Sequence, residues 1–296
     1  MQSRRHRAGA LGAGLLCCLA APLAGAAGGD SPDVTPTTDA FGLAAALAPS
    51  PGSALTVTGR YVEAGVATSG GAIGTFEHGR DTVGFESGIV LSTGDVTQIG
   101  LGGPPAGRDF GWRPSTELES LLSQVPGFGG GFGDAVAFGV DVTPGFDVDF
   151  LNFDLAFGTN EIGEQTDRVG LFLNGTYYGL LGGAPLDQFH PWMRGAGTNF
   201  GFGSLLYPDG DPLAASFLRV SLPILEPASK LLLEFVLADV FGLDGSADVD
   251  SALFVGNLTA SRLPEGVLAS PVPAPATGAL MLAGIGLLAA ARRRRG

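Results

Sequence analysis

Apolar and polar residues alternate along most of the central chain. Val136, Phe138, Val140 and Val142 are interleaved with Ala135, Ala137, Gly139 and Asp141, and Leu151, Phe153, Leu155 and Phe157 with Asn152, Asp154 and Ala156. A period of two puts each apolar set on one face of an extended chain, so both segments predict half-buried strands. Leu231, Leu233, Phe235 and Leu237 repeat the pattern. So do Val169, Leu171 and Leu173, after which an Asn174-Gly175 turn signal and Tyr177-Tyr178 predict a hairpin. Pro144-Gly145 predicts a turn. The apolar face changes parity between Val148/Phe150 and Leu151/Phe153, which predicts a bulge or a bend from one sheet toward another. Further strands are expected over Leu55 to Val62, Ala72 to Phe76, Gly88 to Ser92, Phe217 to Leu222 and Leu253 to Thr259.

Helical signals are sparse. Asp39 predicts the cap of a short helix through Leu47, and Thr116 with Glu119 forms a capping box for a helix running to about Gln124. Neither recurs between strands, which disfavours a parallel α/β sheet. Many strands, 49 glycines and Pro/Gly turns predict an all-β fold, an antiparallel β-sandwich or jelly roll forming one domain with one or two short helices.

The two termini depart from this pattern. Arg4, Arg5 and Arg7 precede an apolar stretch from Ala8 to Ala21, and Ala24-Gly25-Ala26 supplies small residues for signal peptidase, predicting a secretory signal over residues 1–27. At the other end, an apolar run from Ala276 to Ala291 is followed by Arg292, Arg293, Arg294 and Arg295. As a helix, those residues would extend roughly 24 Å, short of the ~30 Å of a hydrocarbon core, so the run reads as a membrane anchor with a basic cytoplasmic tail at 292–296. The expected layout is a linker at 28–38, the sandwich at 39–262, a linker with the sorting motif at 263–275, and the membrane helix at 276–291.

Processing alters the chemistry available. Cys17 and Cys18 are the only cysteines and both lie in the signal, so no disulfide or thiolate metal site is expected in the mature chain. Of 16 basic residues, three fall in the signal and four in the tail, leaving nine against 29 acidic residues and a net charge of about −20. That charge repels phosphate backbones and argues against nucleic acid as a partner. It keeps an exported chain soluble and is compatible with divalent cations.

Two segments resemble known families. Gly74-Thr75-Phe76, followed by Val83-Gly84-Phe85-Glu86-Ser87 and the run Gly88, Ile89, Val90, Leu91, Ser92, Thr93, Gly94 and Asp95, resembles the hallmark of the choice-of-anchor L domain family. Leu155 to Ile162, Asp167 to Gly175, Leu237 to Val240 and Asp248 to Phe254 resemble its later elements, with Asn160 and Ile162 replacing a glutamate and a tyrosine of the family pattern. This resemblance implies placement at the cell surface and supplies no catalytic residues. Val272, Pro273, Ala274 and Pro275, with the apolar run and Arg292 to Arg295, resemble the PEP-CTERM sorting signal of Gram-negative bacteria, with alanine at the usual glutamate position. It implies an exosortase-type protease, a transient inner-membrane stage, and then the cell surface or extracellular matrix.

Candidates for chemistry are few. His78 lies in a polar turn and His190 in a loop before Pro191, and neither Ser87 nor Ser92 sits in a nucleophile elbow. The glycine clusters at Gly100 to Gly107 and Gly127 to Gly133 lack a phosphate-cradle lysine. Acidic residues gather in two loops, Glu161, Glu164 and Asp167 in one and Asp239, Asp244, Asp248 and Asp250 in the other. Loops at one end of a sandwich converge, so Glu161, Glu164, Asp167, Asp239, Asp248 and Asp250 are candidate Ca²⁺ ligands. The reading preferred over a cation site is that these carboxylates solvate loops and keep strand edges apart. Phe189, Trp192, Phe200, Phe202 and Tyr207, with polar neighbours, could line a platform for sugar rings or a protein, though burial is the commoner fate of such aromatics. The expected function is a non-catalytic surface module, adhesive or associated with exopolysaccharide or surface proteins. The alternative is a secreted carbohydrate hydrolase pairing Asp149 or Asp154 with Glu161.

Overall fold

The computed structural model describes residues 32–48, 54–64, 66–67, 70–80, 83–98, 114–126, 132–159, 167–180, 186, 217–225, 229–240 and 251–272. In chain order the first elements are β1 (Asp33–Pro36), α1 (Ala40–Leu47), β2 (Leu55–Glu63), β3 (Val66–Ala67), β4 (Gly70–Gly71), β5 (Ile73–Glu77), β6 (Gly88–Ser92) and α2 (Thr116–Leu122). There follow β7 (Phe132–Pro144), β8 (Phe150–Thr159), β9 (Arg168–Leu173), β10 (Thr176–Gly179), β11 (Leu218–Pro223), β12 (Leu231–Val240), β13 (Ser251–Ser261), β14 (Val267–Leu268) and β15 (Ser270–Pro271). A seven-stranded sheet has the order β1-β5-β6-β13-β8-β11-β14 and a six-stranded sheet the order β15-β10-β9-β12-β7-β2, with β3 and β4 forming a separate ribbon. Pairing is antiparallel except between β11 and β14.

Alternation dictates the sandwich. Leu151, Phe153, Leu155 and Phe157 of β8 and Leu253 and Val255 of β13 share one core with Val136, Phe138, Val140 and Val142 of β7 and Leu231, Leu233, Phe235 and Leu237 of β12. The rings of Phe153 and Phe235 meet edge to face at 5.2 Å. Fully burying each such side chain contributes roughly 1.5–3 kcal/mol, so this face supplies most of the driving force. The parity change after Pro144 marks the crossing between sheets, since β7 and β8 lie in opposite ones. Asp147, at φ 70°, turns the chain there. In α1, Leu43, Ala44 and Leu47 are buried in the same core, and Asp39 caps the helix by accepting from the Phe41 N–H at 3.0 Å.

Both outer faces are partly covered. Phe76, Val83, Phe85, Val90 and Phe254 cluster outside the seven-stranded sheet, where Phe76 meets Phe85 and Phe254 edge to face. On the six-stranded sheet, Leu118, Leu122 and Val125 of the α2 region pack on Ala137, Phe172, Tyr177 and Val236.

Three local expectations differ from the structure. Asp33–Pro36, read as linker, forms β1 on the exposed edge of β5, with Val34 opposite Phe76. Four residues ending in proline are too few to show alternation, and proline is tolerated on an edge because it need not donate there. Residues 263–275, also read as linker, contain β14 and β15. The cap of α2 is Ser115, not Thr116: its side chain accepts from the Leu118 N–H at 3.2 Å. Glu63 at the end of β2 accepts from the Ser115 N–H at 2.7 Å and from its hydroxyl at 3.0 Å. A carboxylate brought in by another strand thus does what the local glutamate of a capping box would do.

Candidate functional site

The chain leaves the sandwich along a strap. After β13, β14 adds to the edge of the seven-stranded sheet beside β11, Val220 opposite Val267 and Ser221 opposite Leu268. One residue later β15 adds to the edge of the other sheet, Tyr178 opposite Pro271 and Gly179 opposite Ser270. Ala269, buried between them, donates its N–H to the Ser221 C=O at 3.0 Å, and the Val272 N–H reaches the Tyr177 C=O at 3.0 Å. The strap therefore bridges both sheets and covers an open edge of each.

A polar network holds it. The Arg219 guanidinium donates to Asp154 Oδ1 at 3.0 Å, the Asn257 C=O at 2.9 Å, Thr259 Oγ1 at 2.7 Å and Glu265 Oε2 at 2.6 Å. Asp154 is buried, and Asn257 Nδ2 donates to its other oxygen at 2.6 Å. Beside it, the buried Ser221 hydroxyl donates to Asn152 Oδ1 at 2.7 Å and accepts from the Glu265 and Gly266 N–H groups at 3.0 and 2.9 Å. These bonds replace the water that the strap's polar backbone gives up.

The second feature is a groove of about 710 Å³ between α2 and the six-stranded sheet, lined by Tyr61, Glu63, Ser115, Leu121, Leu232 and Glu234. Tyr61 stands opposite Gly139 in the ladder, and a Cβ there would meet its ring at 2.2 Å, so the ring lies across the glycine. Its hydroxyl donates to Glu234 Oε1 at 2.6 Å, while Glu234 Oε2 is buried with no hydrogen-bond partner. Burial pushes the Glu234 carboxyl above its usual range despite the Tyr61 bond, Arg60 and the Gly175 amide, which favour the charged form. Burial and the bond to Glu234 push the Tyr61 phenol well up. Both oxygens of the groove's other strand carboxylate, Glu63, accept from Ser115.

The other sequence-derived candidates are placed as follows. Gly88 to Ser92 form β6, between β5 and β13. Gly88 is required sterically, since a Cβ would lie 2.1 Å from the Val255 oxygen. The Ser92 hydroxyl donates to the Ser251 C=O at 2.9 Å, and Thr93 Oγ1 accepts from the Ser251 N–H and donates to Asp167 Oδ2 at 2.8 Å. Asp95 Oδ1 accepts from the Thr97 N–H and hydroxyl at 2.9 and 2.7 Å. The motif's polar end thus ties β6 to the starts of β9 and β13. Of the candidate Ca²⁺ ligands, Asp167 and Asp239 lie at the same end of adjacent strands, because Ala238 pairs with Arg168. Glu161, Glu164, Asp248 and Asp250 lie outside the described residues, and among the described residues no three His, Cys, Asp or Glu side chains form a metal-holding group. Pro273 to Pro275, Arg292 to Arg295, the signal peptide, the 276–291 run, His190, Gly100 to Gly107 and the aromatic residues from Phe189 to Tyr207 also lie outside the described residues. Among the described residues no helix is long and apolar enough to cross a membrane. His78, in its turn, pairs with Asp33 at 3.0 Å. Arg219, Tyr61 and Glu234 carry little signal in the sequence: only Glu234 stands as a lone charge in an apolar run, Leu231 to Ala238, whereas Tyr61 and Arg219 lie in strands with other polar residues.

Comparison with known families finds the PEP-CTERM protein-sorting motif at residues 271–295. No curated protein and no solved structure matches the chain. The motif implies export, transient membrane anchoring through the C-terminus, and processing by an exosortase. Its first two residues, Pro271 and Val272, are those bound to β10.

Proposed function

We propose that this is a non-catalytic cell-surface protein of a Gram-negative bacterium whose sandwich is a binding module, adhesive or associated with exopolysaccharide or neighbouring surface proteins. The supporting observation is that the sorting motif begins within the last strand of the sandwich. The sandwich is thereby the body that the sorting system carries outward. The resemblance of Gly88 to Asp95 to the choice-of-anchor L family agrees with such a role. So do the carboxylates: Glu63 holds a helix cap and Asp154 holds Arg219, so each is committed to the protein's own donors. In this reading Asp167, buried against the Thr93 hydroxyl, and Asp239 are structural acids at one end of adjacent strands, with Ca²⁺ as the ion that end would take if it binds one.

The test is co-sedimentation of the mature chain with exopolysaccharide from the producing cells, with reducing ends assayed in parallel. Retention on the polymer without release of reducing ends is expected. Release of reducing ends in proportion to time would replace the binding module with a hydrolase, and absence of retention on polymer or cell surface would remove the adhesive role.

A further inference from the structure

Three large apolar side chains stand in solvent at one end of the sandwich: Phe146 is 86% exposed, Leu225 76% and Leu263 74%. They lie on three connections, between β7 and β8, after β11 and after β13. Backbone bonds draw these together: the Asp149 N–H donates to the Ser261 C=O at 2.9 Å and the Ile224 N–H to the Asp149 C=O at 2.7 Å. Arg262 Nε donates to the Asp147 C=O at 3.0 Å. Grouped apolar exposure of this kind marks a surface that meets something other than water.

Chain direction says what it meets. Leu231 pairs with Val142, two residues before Pro144, and Leu173 with Leu233, so the Asn174-Gly175 turn lies at the same end as Phe146. β10 starts from that turn, and β15 runs antiparallel to it, so Ser270 to Val272 head toward this end. From Val272, four residues reach Ala276, where the apolar run begins. Fully extended, they span at most about 14 Å. While the chain is held through that run, this end of the sandwich faces the bilayer at close range. Among the described residues there, Arg262 pairs with Asp147 at 2.7 Å, Lys230 at 2.6 Å and Arg60 at 3.2 Å share Asp141, and Asp149 is an exposed acid on the same connections.

We infer that the Phe146, Leu225 and Leu263 end is a membrane-docking face that seats the sandwich on the lipid surface during the anchored stage. The inference rests on the anchoring role of the sorting segment. Apolar tips entering the headgroup and upper acyl region gain area burial, while the sandwich body, with its large negative charge, stays in water.

The experiment uses the full chain with Cys17→Ala and Cys18→Ala, reconstituted in phosphatidylcholine vesicles with and without phosphatidylglycerol. A bimane label at Phe146→Cys is compared with one at Thr116→Cys, at the far end of α2, using lipids that carry an acyl-chain spin label as quencher. Quenching several-fold stronger at position 146 than at 116, independent of protein density, supports docking. Equal weak quenching at both positions in chains that float with vesicles overturns it. Shielding at 146 that grows with protein density and is insensitive to the lipid quencher assigns the face to a second copy and also overturns it. Chains that do not float overturn the anchoring itself and the docking with it. Phe146→Ser, Leu225→Ser and Leu263→Ser together, all at exposed positions, serve as the second variant and should abolish the lipid quenching of a label at Thr143→Cys on the same end.

Discussion

Replacing Arg219 with methionine tests whether the strap is part of the folded domain. The substitution keeps an apolar stem and removes all four guanidinium bonds, to Asp154, Asn257, Thr259 and Glu265. Asp154, whose side chain is 7% exposed, keeps only the Asn257 amide. Removing one partner of a buried pair costs about 3–5 kcal/mol; Arg219 is itself 22% exposed, so the low end, about 3 kcal/mol, applies. For a domain of this size, that corresponds to a fall in melting temperature of roughly 6–12 °C. The control is Arg80→Met, which breaks an exposed 3.5 Å pair with Glu86 and should cost under about 1 kcal/mol. Thermal unfolding followed by circular dichroism gives the shift, and limited proteolysis followed by peptide mass should show earlier cutting between Arg262 and Leu268. If Arg219→Met melts with Arg80→Met and its strap resists protease as in the parent, the network does not hold the strap.

Further predictions follow from the groove and the motif. Because the folded Glu234 carboxyl titrates above its unfolded value of about 4.5, the native state binds more protons than the unfolded one above that pH, and this group's contribution to stability falls as pH rises through the window. Urea unfolding across that range should show the slope, and Glu234→Gln should flatten it. Tyr61→Phe removes the hydroxyl that donates to the buried Glu234 Oε1 and should cost about 1–3 kcal/mol by the same assay. Glu63→Ala removes the acceptor of the Ser115 cap and should lower stability by about 1 kcal/mol, with faster amide exchange in the first turn of α2. Gly88→Ala drives a Cβ into the Val255 backbone and should cost about 3 kcal/mol, read as loss of soluble expression or an early melt.

Strand positions were legible wherever one face meets the core. β6 spans Gly88–Ser92 as the pattern predicts, and the parity change after Pro144 correctly signals the move of the chain between sheets. The Asn174-Gly175 turn was legible because both residues adopt positive φ, 51° and 73°, as a two-residue hairpin of this twist demands. β1, β14 and β15 were not, since strands of four, two and two residues are held by edges supplied from elsewhere and carry no period of their own. The Ser115 cap eluded a local reading for the same reason: its carboxylate, Glu63, is 52 residues away. The sorting signal needed no tertiary information, because proline, apolar run and arginines are contiguous. The strap's network did, because Arg219, Asp154 and Glu265 come together only after two sheets have formed.

Intact-mass measurement of the chain recovered from membrane and extracellular fractions of cells making the full 296-residue product tests the central claim most directly. Export and sorting through the C-terminal motif predict a species lacking the signal up to Ala26 or Ala27 and, outside the cell, one also ending near Val272 to Pro275. An intact chain from Met1 to Gly296, confined to the cytosol, would contradict it.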